Sequence, residues 1–146
     1  MSRVREVLER RGRRLKALVV FGSSVYSPRR ARDVDLLVVV DALADPSEKL
    51  SIELEVSRSL RGALPRPADV TVLDVESLGE NLEPGLVGSG LAAGYKVVYD
   101  ELGVEGLVRG ALEKLAEQDY VVVKGGRRLN LSAVARAKLA MSRAQR

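Results

Sequence analysis

The 146-residue sequence contains no cysteine, no histidine and no tryptophan, and its aromatic residues are four tyrosines and one phenylalanine. Without cysteine, disulfides and thiolate metal sites are excluded, and without histidine so are imidazole acid–base catalysis and imidazole metal ligands. Any catalysis must therefore depend on carboxylates, hydroxyls or cations.

Long apolar runs are also missing. No run approaches the roughly 20 residues that cross a membrane, and the amino terminus lacks the apolar core of a signal peptide. We therefore expect a cytoplasmic protein with no membrane partner. The length fits one domain with a core of its own and a small appendage. Arginine supplies 18 of the 24 basic residues and Asn and Gln together only four, a balance that hints at a thermophile.

Charge is distributed unevenly along the chain. Residues 1–16 carry seven Lys/Arg and two Glu, and residues 120–146 carry seven Lys/Arg and no acid. Because the whole chain has a net charge of +4, the middle is acidic. The basic ends are compatible with RNA contact, with an acidic partner subunit or with exposure to solvent alone. No aromatic residues are interleaved there as a stacking platform for single strands.

Strand and helix patterns alternate over the first two thirds of the chain. They predict an α/β (α+β) fold in which helices flank one mixed β-sheet. Ser47 is a plausible N-cap of the second helix, with Leu50, Leu54 and Leu60 on its apolar face. The predicted strands cover residues 15–21, 34–40, 70–73 and 96–99, and the predicted helices cover residues 2–14, 47–60 and 86–93.

The segment after Asp100 has a different character. An amphipathic helix is predicted over residues 104–118, with Leu107, Val108, Leu112 and Leu115 on its apolar face. A basic β-hairpin with a Gly125-Gly126 turn follows, and then a last helix capped by Ser132. This helix-hairpin-helix arrangement is compatible with nucleic-acid binding, with packing or with homodimer formation. We accordingly expect a domain over residues 1–101 and an appendage over residues 102–146.

A glycine turn at the end of the first strand carries the first chemical signal. The apolar run ends at Gly22, which suits a tight turn where a backbone comes close to a ligand. Ser23 or Ser24 can open the short helix that follows. Backbone N–H groups in such a turn would face a phosphate, so the segment predicts a site for a nucleoside triphosphate.

The second signal is a set of aspartates on two strands. Asp33 and Asp35 are two residues apart, so a regular strand points both carboxylates to one face, roughly 6 to 7 Å apart. Asp69, at the head of the next strand, is the candidate third ligand, whereas Asp74 has the opposite parity. Magnesium prefers oxygen ligands, and a pair of such ions about 3.5 to 4 Å apart suits nucleotidyl transfer.

Two features of this segment admit a simpler interpretation. A plain hairpin with exposed acids on its polar face would also contain Asp33 and Asp35. However, residues 36–40 are all apolar, and a buried strand that begins with two acids is costly unless something pairs them. Arg29, Arg30 and Arg32, in the loop before Asp33, either neutralise triphosphate charge or stay solvated.

The combined pattern resembles the DNA polymerase beta-like nucleotidyltransferase superfamily, and in particular its minimal nucleotidyltransferases. The resemblance rests on Gly22-Ser23, Asp33-Val34-Asp35 and Asp69, and it spans about residues 15–100, ending in a Gly-Tyr-Lys-Val-Val-Tyr segment. The chain departs from the pattern at Arg32, where members often carry Ser, and at Ser24, where they often carry Arg.

The resemblance implies a function and roles for the site residues. Gly22, Ser23 and Ser24 would hold the triphosphate, Asp33 and Asp35 would bind Mg²⁺, and Asp69 would complete the metal site and help to deprotonate the acceptor. The reaction would transfer a nucleoside monophosphate, with AMP from ATP preferred, to a hydroxyl group. A specific version is an antitoxin that modifies a helical toxin of the HEPN kind.

Two other classes of function stay open. A domain that has lost turnover would act as a protein-interaction module through its sheet edge or basic ends, although the intact set of three aspartates argues against it. A nucleic-acid-binding protein would use the basic hairpin and last helix, and its affinity would fall steeply with salt.

Overall fold

The structure is a computed structural model that describes residues 1–27, 29–81, 94–117, 121–124 and 127–144. The helix predicted over residues 86–93 lies outside these ranges. The described elements, in chain order, are α1 (Ser2–Arg10), β1 (Leu15–Phe21), α2 (Ser23–Tyr26), β2 (Val34–Val40), α3 (Pro46–Ser59), β3 (Ala68–Asp74), α4 (Leu78–Asn81), β4 (Tyr95–Asp100), α5 (Val104–Ala116), β5 (Val121–Lys124), β6 (Arg127–Asn130) and α6 (Leu131–Ala144).

Four strands form one mixed sheet in the order β3-β2-β1-β4, as the α+β prediction required. The pairs β1–β2 and β1–β4 are antiparallel, whereas β2 and β3 are parallel. A parallel pair needs a crossover connection, and α3 supplies it. The second sheet is the antiparallel pair β5–β6, which confirms the two predicted strands. The predicted Gly125-Gly126 turn lies outside the described residues.

Both faces of the sheet are covered by helices. Successive strand residues point to opposite faces, and β2 is buried on both sides, which explains its uninterrupted apolar run. On one face Leu36, Val38 and Val40 share a core cluster with residues of α1 and α3, including Val7 and Ile52. On the other face the core cluster contains Ala17, Val19, Phe21, Leu37, Val39, Leu73, Leu78, Val104, Val108, Leu112, Leu115 and Ala135.

Helix α5 therefore packs directly on the sheet that carries the predicted site. Its buried residues Val104, Val108, Leu112 and Leu115 belong to the same core cluster as β1 and β2. The division of the chain at residue 101 stays a prediction. Among the described residues, no helix is long and apolar enough to cross a membrane.

The first helix ends earlier than the sequence pattern predicted. It stops at Arg10 rather than Arg14, because Gly12 adopts a φ of +71° and turns the chain out of the helix. The backbone N–H of Arg13 then donates to the carbonyl oxygen of Leu8 at 2.9 Å. The side chain of Arg13 reaches α3, where its guanidinium forms two hydrogen bonds of 2.7 and 2.8 Å with the carboxylate of Glu48.

Two predictions for α3 are wrong. The N-cap is Asp45 and not Ser47, because the Asp45 carboxylate accepts a hydrogen bond of 2.8 Å from the backbone N–H of Glu48. The buried face carries Ile52, whereas Leu50 and Leu54 are 57% and 49% exposed. The buried face of α3 carries only Ile52 and Val56, so the two exposed leucines were the misleading signal.

The carboxy-terminal helices differ from the prediction in detail. Leu107, predicted on the apolar face of α5, is 47% exposed. Ser132, predicted as the cap of the last helix, is fully buried within it. The cap is Asn130, whose side-chain oxygen accepts a hydrogen bond of 3.0 Å from the backbone N–H of Ala133.

Candidate active site

The turn after β1 is built around Gly22. The strand ends at Phe21, and Gly22 adopts a φ of +78°, a conformation that side chains disfavour. Its N–H donates to the carbonyl oxygen of Gly94 at 2.9 Å, and its carbonyl accepts from Val25 N–H at 3.1 Å. The turn is thus fastened both to the start of β4 and to α2.

The three aspartates come from the same end of two neighbouring strands. Asp35 is the second residue of β2 and lies opposite Asp69 in the parallel ladder with β3. Asp33 immediately precedes β2, whose observed bounds Val34–Val40 are those predicted from the sequence. The N–H of Val34 donates to the carbonyl oxygen of Pro67 at 2.8 Å, which continues the contact between the two segments at this end.

The carboxylates of Asp33, Asp35 and Asp69 converge. Each offers one oxygen atom, and these oxygens all lie within 4.8 Å of one another. Asp33 and Asp35 are partly buried, whereas Asp69 is exposed. Three negative groups at this separation repel one another, and oxygen ligands in such a cluster suit a hard divalent cation such as Mg²⁺.

Gly22 and Asp35 are in direct contact. A Cβ atom built on Gly22 would overlap Asp35 Oδ2 and would lie 3.3 Å from Asp35 Cγ. No larger residue fits at Gly22 without moving that carboxylate. The glycine turn and the acidic cluster, which sequence analysis treated as separate motifs, therefore form one site.

A row of four residues crosses the whole sheet at the level of this site. Tyr95 is paired with Phe21, Phe21 with Asp35, and Asp35 with Asp69. Residues directly opposite each other point to the same face of a sheet, so the row places two aromatic rings beside two carboxylates. The sequence could not reveal this row, because it depends on the strand order.

Tyr95 forms the end of the row under α5. Burial raises the pKa of the Tyr95 phenol, the negative charge of Glu105 raises it further, and Arg109 opposes both effects. Glu105 and Arg109 belong to α5, so this helix places charged groups close to the Tyr95 end of the row.

The serines of the turn are described only in part. Ser24 is partly buried, and its hydroxyl lies 3.5 Å from the carbonyl oxygen of Phe21, at the limit for a hydrogen bond. The side chain of Ser23 lies outside the described part of the structure. The phosphate-binding roles predicted for Gly22, Ser23 and Ser24 stay predictions, as do the metal-binding roles of the aspartates.

Two other acids at the ends of strands, Asp74 and Asp100, accept hydrogen bonds that stabilise the fold. Asp74, set apart by its parity, accepts hydrogen bonds from the backbone N–H and the hydroxyl of Ser77, and these bonds lower the pKa of its carboxyl. Burial raises the pKa of Asp100, but hydrogen bonds from backbone N–H groups at the start of α5 outweigh burial and lower it. Neither residue joins the converging cluster.

A charged cavity of about 320 Å³ lies at the opposite end of β1, beside Leu15. Two pairs of its lining residues contact each other. The guanidinium of Arg5 lies 4.5 Å from the centre of the Tyr99 ring, and Arg14 donates to Glu101 at 2.7 Å. This cavity is therefore held by internal contacts and does not contain the aspartate cluster.

The mixed sheet, its covering helices and the acidic cluster at the strand ends define a nucleotidyltransferase-like fold. No protein-family model matches the sequence, and neither does any curated protein. The fold, however, matches that of solved toxin–antitoxin structures over nearly the whole chain.

Three solved structures illustrate the likeness. A crystal structure of a toxin–antitoxin with AMP-PNP has a chain that is 13% identical, with a TM-score of 0.52 over 97% of this chain and 96% of that chain. A variant of the toxin–antitoxin MntA–HpeT has a chain that is 13% identical, with a TM-score of 0.52 over 97% of this chain and 95% of that chain. A re-refined structure of a tri-AMPylated Shewanella oneidensis HEPN toxin in complex with an MNT antitoxin has a chain that is 13% identical. Its TM-score is 0.50 over 97% of this chain and 93% of that chain. The chain thus has the minimal nucleotidyltransferase fold of an MNT antitoxin, as the sequence resemblance predicted.

Proposed function

We propose that this protein is a metal-dependent nucleotidyltransferase that transfers AMP from ATP to a hydroxyl group of a partner protein. The observation that carries the proposal is the convergence of Asp33, Asp35 and Asp69 within 4.8 Å, against the backbone of Gly22. A purely structural role does not account for three carboxylates held together at the end of a buried sheet.

The residues present fit a magnesium site. The donor set consists of carboxylate oxygens alone, which is the chemistry that Mg²⁺ prefers, and glycine at position 22 leaves room for the Asp35 carboxylate. Asp33, Asp35 and Asp69 would hold the metal. A pair of such ions supplies charge stabilisation for the attacking and leaving oxygens of a phosphoryl-type transfer.

The residues of this chain would bind and orient the reactants. The backbone N–H groups of Ser23 and Ser24 would face the phosphates, whereas the Gly22 N–H already donates to Gly94 and holds the turn in place. The acceptor hydroxyl oxygen forms a bond to the α-phosphorus, the bond from that phosphorus to the bridging oxygen breaks, and pyrophosphate leaves. Asp69, the exposed member of the cluster, accepts the hydroxyl proton because an acceptor from outside can reach it.

The proposed acceptor is a helical toxin of the HEPN kind, in the cytoplasm. The support is the fold: one similar structure contains AMP-PNP, and another contains an AMPylated HEPN toxin with an MNT antitoxin. The basic side chains of the hairpin β5–β6 lie outside the described part of the structure. RNA contact through the basic ends and a homodimer accordingly remain predictions.

Titration calorimetry with ATP tests the nucleotide site. The wild-type protein is titrated with magnesium present and again with EDTA, and Asp35→Asn is compared with Asp45→Asn. Asn at the α3 cap keeps a side-chain acceptor, so Asp45→Asn should bind as the wild type does. Binding that needs both magnesium and Asp35 supports the proposal. Equal binding by Asp35→Asn, or no ATP binding by the wild type, contradicts it and favours an interaction module.

Transfer to a partner is tested separately with ATP labelled at the α-phosphate. The label should appear on one protein of a source lysate when the wild type and magnesium are present, and it should be absent with Asp35→Asn. The labelled residue is then identified by mass spectrometry. Label from the γ-phosphate in place of the α-phosphate would indicate a phosphotransferase and overturn the proposed reaction.

A further inference from the structure

Three arginines stand between the glycine turn and the acidic cluster. Arg29, Arg30 and Arg32 are all exposed, and none of their guanidinium groups forms a hydrogen bond or ion pair with any residue that the structure describes. The arginines near the end of α1 behave differently: Arg10 and Arg11 are both paired with Glu55. Carboxylate partners for arginine are thus present elsewhere in the described part of the chain, whereas the guanidinium groups of the loop have none there.

The loop is nevertheless held in a fixed backbone conformation. The N–H groups of Arg30 and Ala31 both donate to the carbonyl oxygen of Ser27, at 3.1 and 3.2 Å. Ala31 is only 6% exposed, so it anchors the loop between two exposed arginines. A tethered loop presents its guanidinium groups with less loss of chain entropy than a free one when they bind a ligand.

The position of the loop indicates which ligand it serves. It joins the Gly22 turn to Asp33, so the three arginines belong to the segment that links the glycine turn to the carboxylates. A bound triphosphate adds several negative charges to three that are already there, and two divalent cations do not offset all of them. Guanidinium groups bind phosphate oxygens in a bidentate manner and stay charged at any physiological pH.

We propose that Arg29, Arg30 and Arg32 form a clamp for the β- and γ-phosphates of the bound nucleotide, the part that leaves as pyrophosphate. This inference rests on the proposed function and adds residues that neither the glycine turn nor the metal site includes. In this chain Tyr26 and Ser24 follow the glycine turn without a positive charge, and the three arginines supply it later in the loop.

The test compares nucleotides that differ only in their phosphates. Affinities for ATP and AMP, each with magnesium, are measured by calorimetry for the wild type, for the triple variant R29A/R30A/R32A and for the triple lysine variant. Arg58→Ala is the matched control, because Arg58 is also exposed and has no partner among the described residues but lies on α3. Thermal unfolding of each variant checks that the fold is retained.

The clamp predicts that the triple alanine variant loses affinity for ATP but not for AMP. The alanine triple should bind ATP at least about tenfold more weakly, while AMP binding changes less than about threefold and Arg58→Ala has no effect. The ATP affinity of the triple lysine variant should lie between those of the wild type and the triple alanine variant, because lysine keeps the charge without the bidentate geometry. In the wild type, ATP binding should weaken with added salt more steeply than in the alanine triple.

The failure of this inference differs from the failure of the proposed function. If the wild type binds ATP through Asp35 and magnesium but the alanine triple binds ATP equally well, the clamp is wrong and the proposed function stands. If the alanine triple loses ATP and AMP affinity to the same extent, the arginines do not act on the β- and γ-phosphates. If the wild type binds no nucleotide, both proposals are overturned.

Discussion

The backbone of Gly22 and the carboxylate of Asp35 lie so close together that a methyl group on Gly22 would overlap Asp35 Oδ2. The two residues come from different strand ends, but Phe21, just before the glycine, is paired with Asp35 across β1 and β2. The proposed phosphate turn and the proposed metal site are therefore packed against each other, so a change in one of them should disturb the other.

Replacing Gly22 with alanine should destabilise the protein for two separable reasons. Alanine at a φ of +78° is strained, by about 1 to 2 kcal/mol, and the methyl group also meets Asp35. Gly62 has a φ of +79° with no atom within 4 Å of a built Cβ, so Gly62→Ala reports the strain alone. We expect Gly22→Ala to lower the free energy of unfolding by about 1 to 3 kcal/mol more than Gly62→Ala does, measured by urea denaturation.

A double-mutant cycle isolates the contact between the two residues. In an Asp35→Ala background the overlapping oxygen is gone, and the Asp35 Cβ lies 3.6 Å from a Cβ built on Gly22, an ordinary contact. In that background Gly22→Ala should lower the free energy of unfolding by no more than Gly62→Ala does. An unchanged cost in both backgrounds would show that the carboxylate does not restrict position 22.

Removing one carboxylate of the cluster should stabilise the metal-free protein. The oxygens of Asp33, Asp35 and Asp69 lie within 4.8 Å of one another and repel. Because Asp69 is exposed, solvent screens it, and we expect Asp69→Asn to raise the free energy of unfolding by no more than about 1 kcal/mol in EDTA. Magnesium should stabilise the wild type and leave this variant nearly unaffected.

Asp45→Asn is the control for this prediction, since it removes an exposed carboxylate while keeping an acceptor at the N-cap of α3. Its stability should respond to magnesium as that of the wild type does. A loss of stability in Asp69→Asn under EDTA would mean that the third aspartate serves the fold and not a ligand.

The protein should lose stability in acid partly through Asp100. Its carboxylate accepts hydrogen bonds from the backbone N–H groups of Leu102 and Val104, at 3.0 and 2.9 Å, and its pKa in the folded state is lowered. A lowered pKa contributes stability above the unfolded-state pKa of about 3.9, and this contribution is lost as the pH falls through the folded-state pKa.

Denaturation of the wild type and of Asp100→Ala at pH 6 and at pH 3 measures this effect. At pH 6 the variant should be less stable by about 1 kcal/mol, because the backbone N–H of Val104 at the start of α5 loses its carboxylate acceptor. At pH 3 the difference should shrink. Glu113→Gln, at an exposed position on α5 with no partner among the described residues, should show no such change. A difference that is independent of pH would contradict the role of the charged carboxylate.

The strands and the acidic cluster could be predicted because local rules determine them. Residues 36–40 are all apolar, so a strand buried on both faces was the natural interpretation. The convergence of Asp35 and Asp69 required only that their strands be neighbours. The contact between Gly22 and Asp35 could not be predicted, because it depends on the antiparallel register of β1 and β2.

The N-caps and the buried faces of the helices were harder to predict, because neighbouring residues could fill the same role. Asp45 and Ser47 are both good N-caps, and only the observed hydrogen bond to Glu48 N–H distinguishes them. Likewise, Asn130 and Ser132 both lie near the start of the last helix. On α3, four apolar residues lie on two faces, and which face is buried is decided by α1 and β3, which the local pattern does not contain.

The orientation of α3 gives the last prediction. Ile52 is completely buried in the core cluster shared with α1, whereas Leu54, two residues later, is 49% exposed. Ile52→Ala should lower the free energy of unfolding by about 2 to 4 kcal/mol, because it leaves a cavity. Leu54→Ala, which removes a side chain of the same size, should change it by less than about 0.5 kcal/mol. Urea denaturation of the two variants decides between the faces: equal losses, or a larger loss for Leu54→Ala, would mean that α3 packs with the leucine face that its sequence pattern favoured.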